Sequence, residues 1–107
     1  MYKLVDLIKA NDNIHKYKVI LKNTKTGREK TVKFGRKGYM DYTLYNEKGT
    51  KVEADKHKLN YLKRHSKMGE DYTASGVDTA GFWAKWLLWN LPTIKESLDD
   101  IIKRFNI

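Results

Sequence analysis

Nine of the 22 lysines and arginines in this 107-residue chain fall between residues 16 and 37: Lys16, Lys18, Lys22, Lys25, Arg28, Lys30, Lys33, Arg36 and Lys37. Only Glu29 opposes them there, so this one segment carries +8 of a formal net charge of +9. Cations at this density neutralise phosphates and release their counterions, so the chemistry they point to is binding of a polyanion, DNA or RNA foremost. Lysine outnumbers arginine seven to two in the segment. A lysine is a point charge without the planar fork that grips guanine, so little sequence preference is expected. The competing reading is a solvated outer face of an antiparallel sheet, where lysine also guards edges against aggregation. Lys63 and Arg64, close to Lys56, Lys58 and Lys67, form a second candidate stripe, again set against a plainly solvated helix face.

Other reactive chemistry is scarce. The chain has no cysteine, which excludes disulfides, thiolate metal sites and thiol nucleophiles, and His15, His57 and His65 are too scattered for a zinc site. No G-x-S-x-G, H-E-x-x-H or glycine-rich dinucleotide loop occurs. Gly35-Arg36-Lys37-Gly38 is a basic G-x-x-G, but the backbone clamp of KH domains joins two helices and this one follows a strand pattern. It is expected to be a tight turn with at least one residue at positive φ and the two cations at its tip. Asp41 lies between Tyr39 and Tyr42, and a metal-dependent nuclease could use it with Glu47 or Asp55 and His65 around magnesium. Tyr39, Tyr42 and Tyr45 could stack on bases or pack under a sheet. The residues therefore name no catalytic group, no metal ligand, no cofactor and no small-molecule substrate.

The basic segment must be held by strands. Tyr17 to Lys22 is rich in β-formers, Asn23 to Gly27 is turn-like, and Arg28 to Phe34 alternates, so residues 16–37 read as a hairpin. Alternation puts Lys16, Lys18, Ile20 and Lys22 opposite to Tyr17, Val19 and Leu21, and it groups Lys30 with Val32 and Phe34. One hairpin face is then basic. Residues 1–45 are expected to be mainly β, and Tyr45 to Ala54 an exposed loop or an irregular hairpin around Lys48-Gly49. Asp55 is the expected N-cap of a helix over 55–68, with Leu59, Leu62 and Tyr61 facing inward.

All three tryptophans stand within Gly81 to Asn90, where Lys85 is the only charge. At 100° per residue Trp83, Trp86 and Trp89 cover one wide face of a helix over 79–90, with apolar residues on the other side too, so this helix must be buried. A T-x-x-E capping box, Thr93 to Glu96, opens a helix over 94–105. Its apolar stripe is Ile94, Leu98, Ile101, Ile102 and Phe105, and Asp99–Lys103 and Asp100–Arg104 are i,i+4 pairs. Together these patterns give a single α+β domain, an N-terminal antiparallel sheet packed against about three C-terminal helices. The tryptophan block would span only about 15 Å, half a bilayer core, so no membrane span is expected. Charges at Lys3, Asp6 and Lys9 interrupt the N-terminus, so a secretory signal is not expected.

The ordered set Val32-Lys33-Phe34-Gly35, Lys37-Gly38-Tyr39, Asp41-Tyr42-Thr43, Arg64-His65-Ser66, Thr79 to Trp83, Lys85 to Asn90, Pro92-Thr93 and Lys103-Arg104-Phe105 resembles a small uncharacterised protein family. That family is encoded by large nucleocytoplasmic double-stranded DNA viruses of protists and algae. The resemblance covers about residues 15–107, and the tryptophan block with Asn90-Leu91-Pro92-Thr93 is its most specific part. It departs in a longer Tyr45 to Lys58 connection and in Tyr72, where relatives would carry tryptophan. It implies a viral protein located in the virion or in the host cytoplasm or viral factory, and it brings no catalytic or binding residue. The function expected is non-enzymatic binding of nucleic acid. The alternative is a minor structural protein whose partners are capsid or core proteins, and a nuclease is third.

Overall fold

The computed structural model describes all 107 residues. Three antiparallel strands come first, β1 (Tyr2–Lys9), β2 (His15–Asn23) and β3 (Glu29–Arg36), adjacent in that order. Then follow α1 (Tyr42–Lys48), α2 (Lys51–His65), a 3-10 turn at Ala74–Gly76, α3 (Ala80–Trp83), a π-helical turn at Ala84–Leu88, and α4 (Ile94–Phe105). The fold is α+β: a sheet whose one face is covered by helices, while the other stays open.

The β2–β3 hairpin closes where its turn residues demand. Asn23 Oδ1 accepts from the amides of Lys25 (2.9 Å) and Thr26 (3.2 Å), and Gly27 takes φ +75°. Only a residue without Cβ adopts that angle freely. In β1, Leu4 opposes Leu21 and Leu7 opposes Val19, although the two leucines are three residues apart. A bulge between Leu4 and Asp6 absorbs the extra residue, and the strand's charges consequently recur every third position instead of every second.

The core lies between the sheet and the tryptophan block. Val19, Leu21, Val32 and Phe34 meet Phe82, Trp83, Leu87, Leu88 and Ile101, all buried. Phe34 and Trp83 have ring centroids 6.0 Å apart, and the Trp83 indole N–H donates to the Val77 carbonyl at 2.7 Å, so the buried polar atom is satisfied. The expected single helix over 79–90 is instead one α turn followed by a wider π turn. The widening changes the angular step, and the three indoles part company. Trp83 packs toward the sheet, Trp86 against Phe105 (5.3 Å), and Trp89 flat on Tyr61 (4.4 Å, 5° between planes).

Two further expectations are corrected. Residues 42–48 and 51–54 are helical on either side of Gly49-Thr50, because Asp41 accepts from the Leu44 amide (3.1 Å) to cap α1 and Thr50 accepts from the Glu53 amide (3.2 Å) to cap α2. Asp55 is therefore inside α2. Of the three residues expected to face inward there, Tyr61 is buried, Leu62 is half-buried and Leu59 is 53% exposed. The cause is the partner: α2 packs on α1 and on Trp89, through an aromatic column that runs His57, Tyr45, Trp89, Tyr61, His65. Helix α4 has the expected bounds and cap, Thr93 Oγ1 accepting from the Glu96 amide at 3.2 Å and donating to its carboxylate at 2.9 Å. Asp100 pairs with Arg104 at 3.2 Å, whereas Asp99 and Lys103 form no ion pair and Ile102 is 39% exposed.

Candidate nucleic-acid interface

The pleat puts the apolar residues of β2 and β3 inward, so their neighbours point to the open face. There Lys18 stands directly opposite Lys33, Lys22 opposite Glu29, and Ile20 opposite Thr31. On the far side Lys22 opposes Lys3 and Ile20 opposes Asp6. Lys25 and Arg28 stand exposed in the hairpin turn or at its edge. Lys22, Lys25, Arg28 and Lys33 are exposed, and Lys18 is half-buried along its stem.

The remaining candidates lie elsewhere. Lys16 leaves the basic face altogether: its ammonium lies 2.6 Å from Asp41 Oδ2 and donates to the Tyr39 carbonyl, with the side chain only 13% exposed. It is a structural cation, tying β2 to the start of α1. Lys30 faces inward in register with Leu21, as alternation requires, and reaches Asp78 at 3.3 Å. Lys33 comes within 3.6 Å of Asp12. The Asp12 carboxyl is held well below the usual carboxylate range, chiefly by the His15 amide and then by its ring and the Ile14 amide. Lys63 and Arg64 occupy the last turn of α2, where a cation complements the helix dipole.

Asp41, the carboxylate least easily set aside from sequence, is 2% exposed and fully engaged. One oxygen takes Lys16, and the other takes the Thr43 hydroxyl (2.5 Å) and the Leu44 amide. Asp55 accepts from the buried Tyr42 hydroxyl at 2.6 Å and pairs with Lys51, contacts that lower its pKa. His65 stacks on Tyr61 (4.0 Å), and burial lowers its pKa. Asp41, Glu47, Asp55 and His65 do not converge, and no three His, Asp or Glu side chains gather as a metal site would need.

At the opposite end of the hairpin from its turn, the sheet and α1 border an open cavity of about 360 Å³. Its lining includes Lys9, Lys16, Tyr17, Lys37, Gly38, Tyr39, Asp41 and Lys48. Gly35 and Gly38 take φ +70° and +87°, the positive angles expected for the basic turn, and Arg36 lies over the Tyr39 ring at 5.7 Å from its centroid. Lys9 and Lys48 were not among the sequence candidates. Lys9 lies seven residues before the basic segment, yet pairs across the sheet with Tyr17. Lys48 sits in the last turn of a helix read as loop, and the signal that could have found it is the Asp41-Tyr42-Thr43-Leu44 cap followed by Thr50-x-x-Glu53, a second T-x-x-E.

No helix is long and apolar enough to cross a membrane. No curated protein and no solved structure matches the chain. A family model does match, over residues 5–65, which runs from within β1 to the end of α2 and takes in both the open sheet face and the lysine-lined cavity. That is more than half of the sequence, and the protein therefore belongs to the family described as a family of unknown function (DUF5754).

Proposed function

We propose that this protein binds DNA or RNA with little sequence preference, through the open face and turn of the β2–β3 hairpin, and does so without catalysing a reaction. The observation that carries this reading is the state of the nine cations in residues 16–37. Lys18, Lys22, Lys25, Arg28, Arg36 and Lys37 have no carboxylate within ion-pairing distance; only Lys16, Lys30 and Lys33 do. Cations left unpaired at a solvent boundary are those that a phosphate backbone can claim with release of counterions. The resemblance to proteins of large DNA viruses supports a place in the virion or the viral factory, where nucleic acid is the abundant polyanion.

Fluorescence anisotropy across a salt series tests the reading. With about four to six phosphates neutralised, log affinity for duplex DNA falls against log salt with a slope of roughly −4 to −5. The double change Lys18→Glu and Lys22→Glu weakens binding to all sequences alike and takes about two units off that slope. Undetectable binding at low salt, or an unchanged slope in the double variant, would sink the proposal. One observation favours the second reading, docking on a capsid or core protein: Val52 and Leu59, 79% and 53% exposed, lie two turns apart on the same side of α2.

A further inference from the structure

The cavity between the sheet end and α1 is the most strongly cationic concavity of the molecule. Four lysines line it, Lys9, Lys16, Lys37 and Lys48, and one carboxylate, Asp41. That carboxylate is saturated by Lys16, Thr43 and the Leu44 amide, so it offers nothing to the other three ammonium groups. None of Lys9, Lys37 and Lys48 forms an ion pair. Three uncompensated cations around one hollow repel each other, and an anion entering it removes that repulsion.

The walls narrow the class of anion. Tyr39 is 64% exposed at the rim and carries the Arg36 guanidinium over its ring, while Tyr17 and Leu44 supply further apolar surface. A volume of about 360 Å³ lies within the range of small-molecule sites, too large for a bare oxyanion and suited to a phosphate joined to a flat ring. A terminal phosphate carries about two negative charges at neutral pH and an internal phosphodiester only one, so three clustered cations discriminate in favour of the terminal group.

We propose that this cavity binds a nucleotide-sized phosphate monoester, its phosphate on Lys9, Lys37 and Lys48 and its base against Tyr39. The source is either the 5′-phosphorylated end of a strand, which rests on the nucleic-acid reading above, or a free nucleotide. The inner part of the pocket is pre-set, because the Lys16–Asp41 pair fixes the floor between β2 and α1.

Two measurements on the full chain test it. Anisotropy compares one short single strand, labelled at its 3′ end, with a 5′-phosphate or a 5′-hydroxyl. Amide NMR spectra follow titration with adenosine 5′-monophosphate and with adenosine. The phosphorylated strand is expected to bind about five- to tenfold more tightly. That preference disappears in the double variant Lys9→Gln with Lys48→Gln, whose side chains form no ion pair in the fold, and persists when Lys18 and Lys22 are reversed. The monophosphate, and not adenosine, shifts the amides of Gly38, Tyr39 and Lys48. If those shifts occur while both strands bind alike, the ligand is a free nucleotide and the site stands. If no cavity amide moves and both strands bind alike, the site is refuted, and salt-dependent binding that still responds to Lys18 and Lys22 leaves the sheet-face reading intact. Should neither strand bind, the sheet-face reading fails, and the monophosphate titration alone decides the cavity.

Discussion

Strand β3 presents two unlike faces to its surroundings. Val32 and Phe34 point inward and are 7% and 1% exposed, closed over by Trp83 and its neighbours, whereas Thr31 and Lys33, one residue away on the same strand, face water with nothing laid over them. The inner face has spent its surface on folding: apolar area removed from water is the dominant favourable term, and it is available only where side chains interlock. The outer face contributes little to that balance and even keeps Lys18 directly opposite Lys33, a like-charge pairing that costs stability. A surface that tolerates such a cost is where a partner is to be sought, and the same contrast says which substitutions must unfold the protein and which must not.

The sharpest break between the faces is Trp83→Ala, expected to cost about 3 to 5 kcal/mol in urea unfolding, against Lys33→Ala on the other side, expected to stay within about 0.5 kcal/mol. Equal effects would abolish the distinction. Next comes Asp41→Asn, which leaves the mostly buried Lys16 ammonium without its counter-charge and costs about 3 kcal/mol. Adding Lys16→Met to that variant recovers part of the loss, since a stem of similar length without charge needs no partner, and a double-mutant cycle in urea measures the recovery. Thr50→Ala and Thr93→Ala each remove a helix cap and lower the denaturant midpoint by the equivalent of about 1 kcal/mol at constant m. The smallest effect has the opposite sign: Lys18→Glu puts an acid across from Lys33 and raises stability by about 0.2 to 1 kcal/mol while weakening nucleic-acid binding. A loss of stability there would mean that the open face is packed against something.

What the sequence made legible follows the length of each pattern. The β2–β3 hairpin and α4 were readable because each repeats its period over eight or more residues with a turn or cap at the end, Asn23 to Gly27 in one case and Thr93 in the other. β1 was obscured by its bulge, which replaces a period of two with intervals that fit no template. Helix α1 is not legible because seven residues are too few to show helical periodicity, whereas α2 is legible as a helix but with its start four residues late, because its contacts are aromatic stacking on Tyr45 and Trp89 instead of an aliphatic stripe that would mark its first turn. The candidate site divided in the same manner. Alternation located Lys18, Lys22 and Lys33, which depend on one hairpin, but Lys9, Lys37 and Lys48 are gathered from β1, the turn after β3 and α1, and only the tertiary fold brings them to one hollow. The pairing of Lys16 is invisible to alternation because its partner, Asp41, lies 25 residues away in the chain.

The π turn at Ala84–Leu88 equips the molecule with three separate optical reporters. A regular helix holding its tryptophans on one stripe would give them a common environment and one fluorescence signal. Here Trp83 reads the junction of helices and sheet, Trp86, with its N–H on the Tyr72 carbonyl and the Lys85 and Arg104 cations over its ring, reads the docking of α4, and Trp89 reads the docking of α2. Variants that retain one indole each, with phenylalanine in the other two places, therefore assign an emission change to a particular junction. Coincident transitions in all three describe one cooperative unit, and a Trp89 signal lost first marks the α1–α2 layer as the part that comes away from an otherwise intact core.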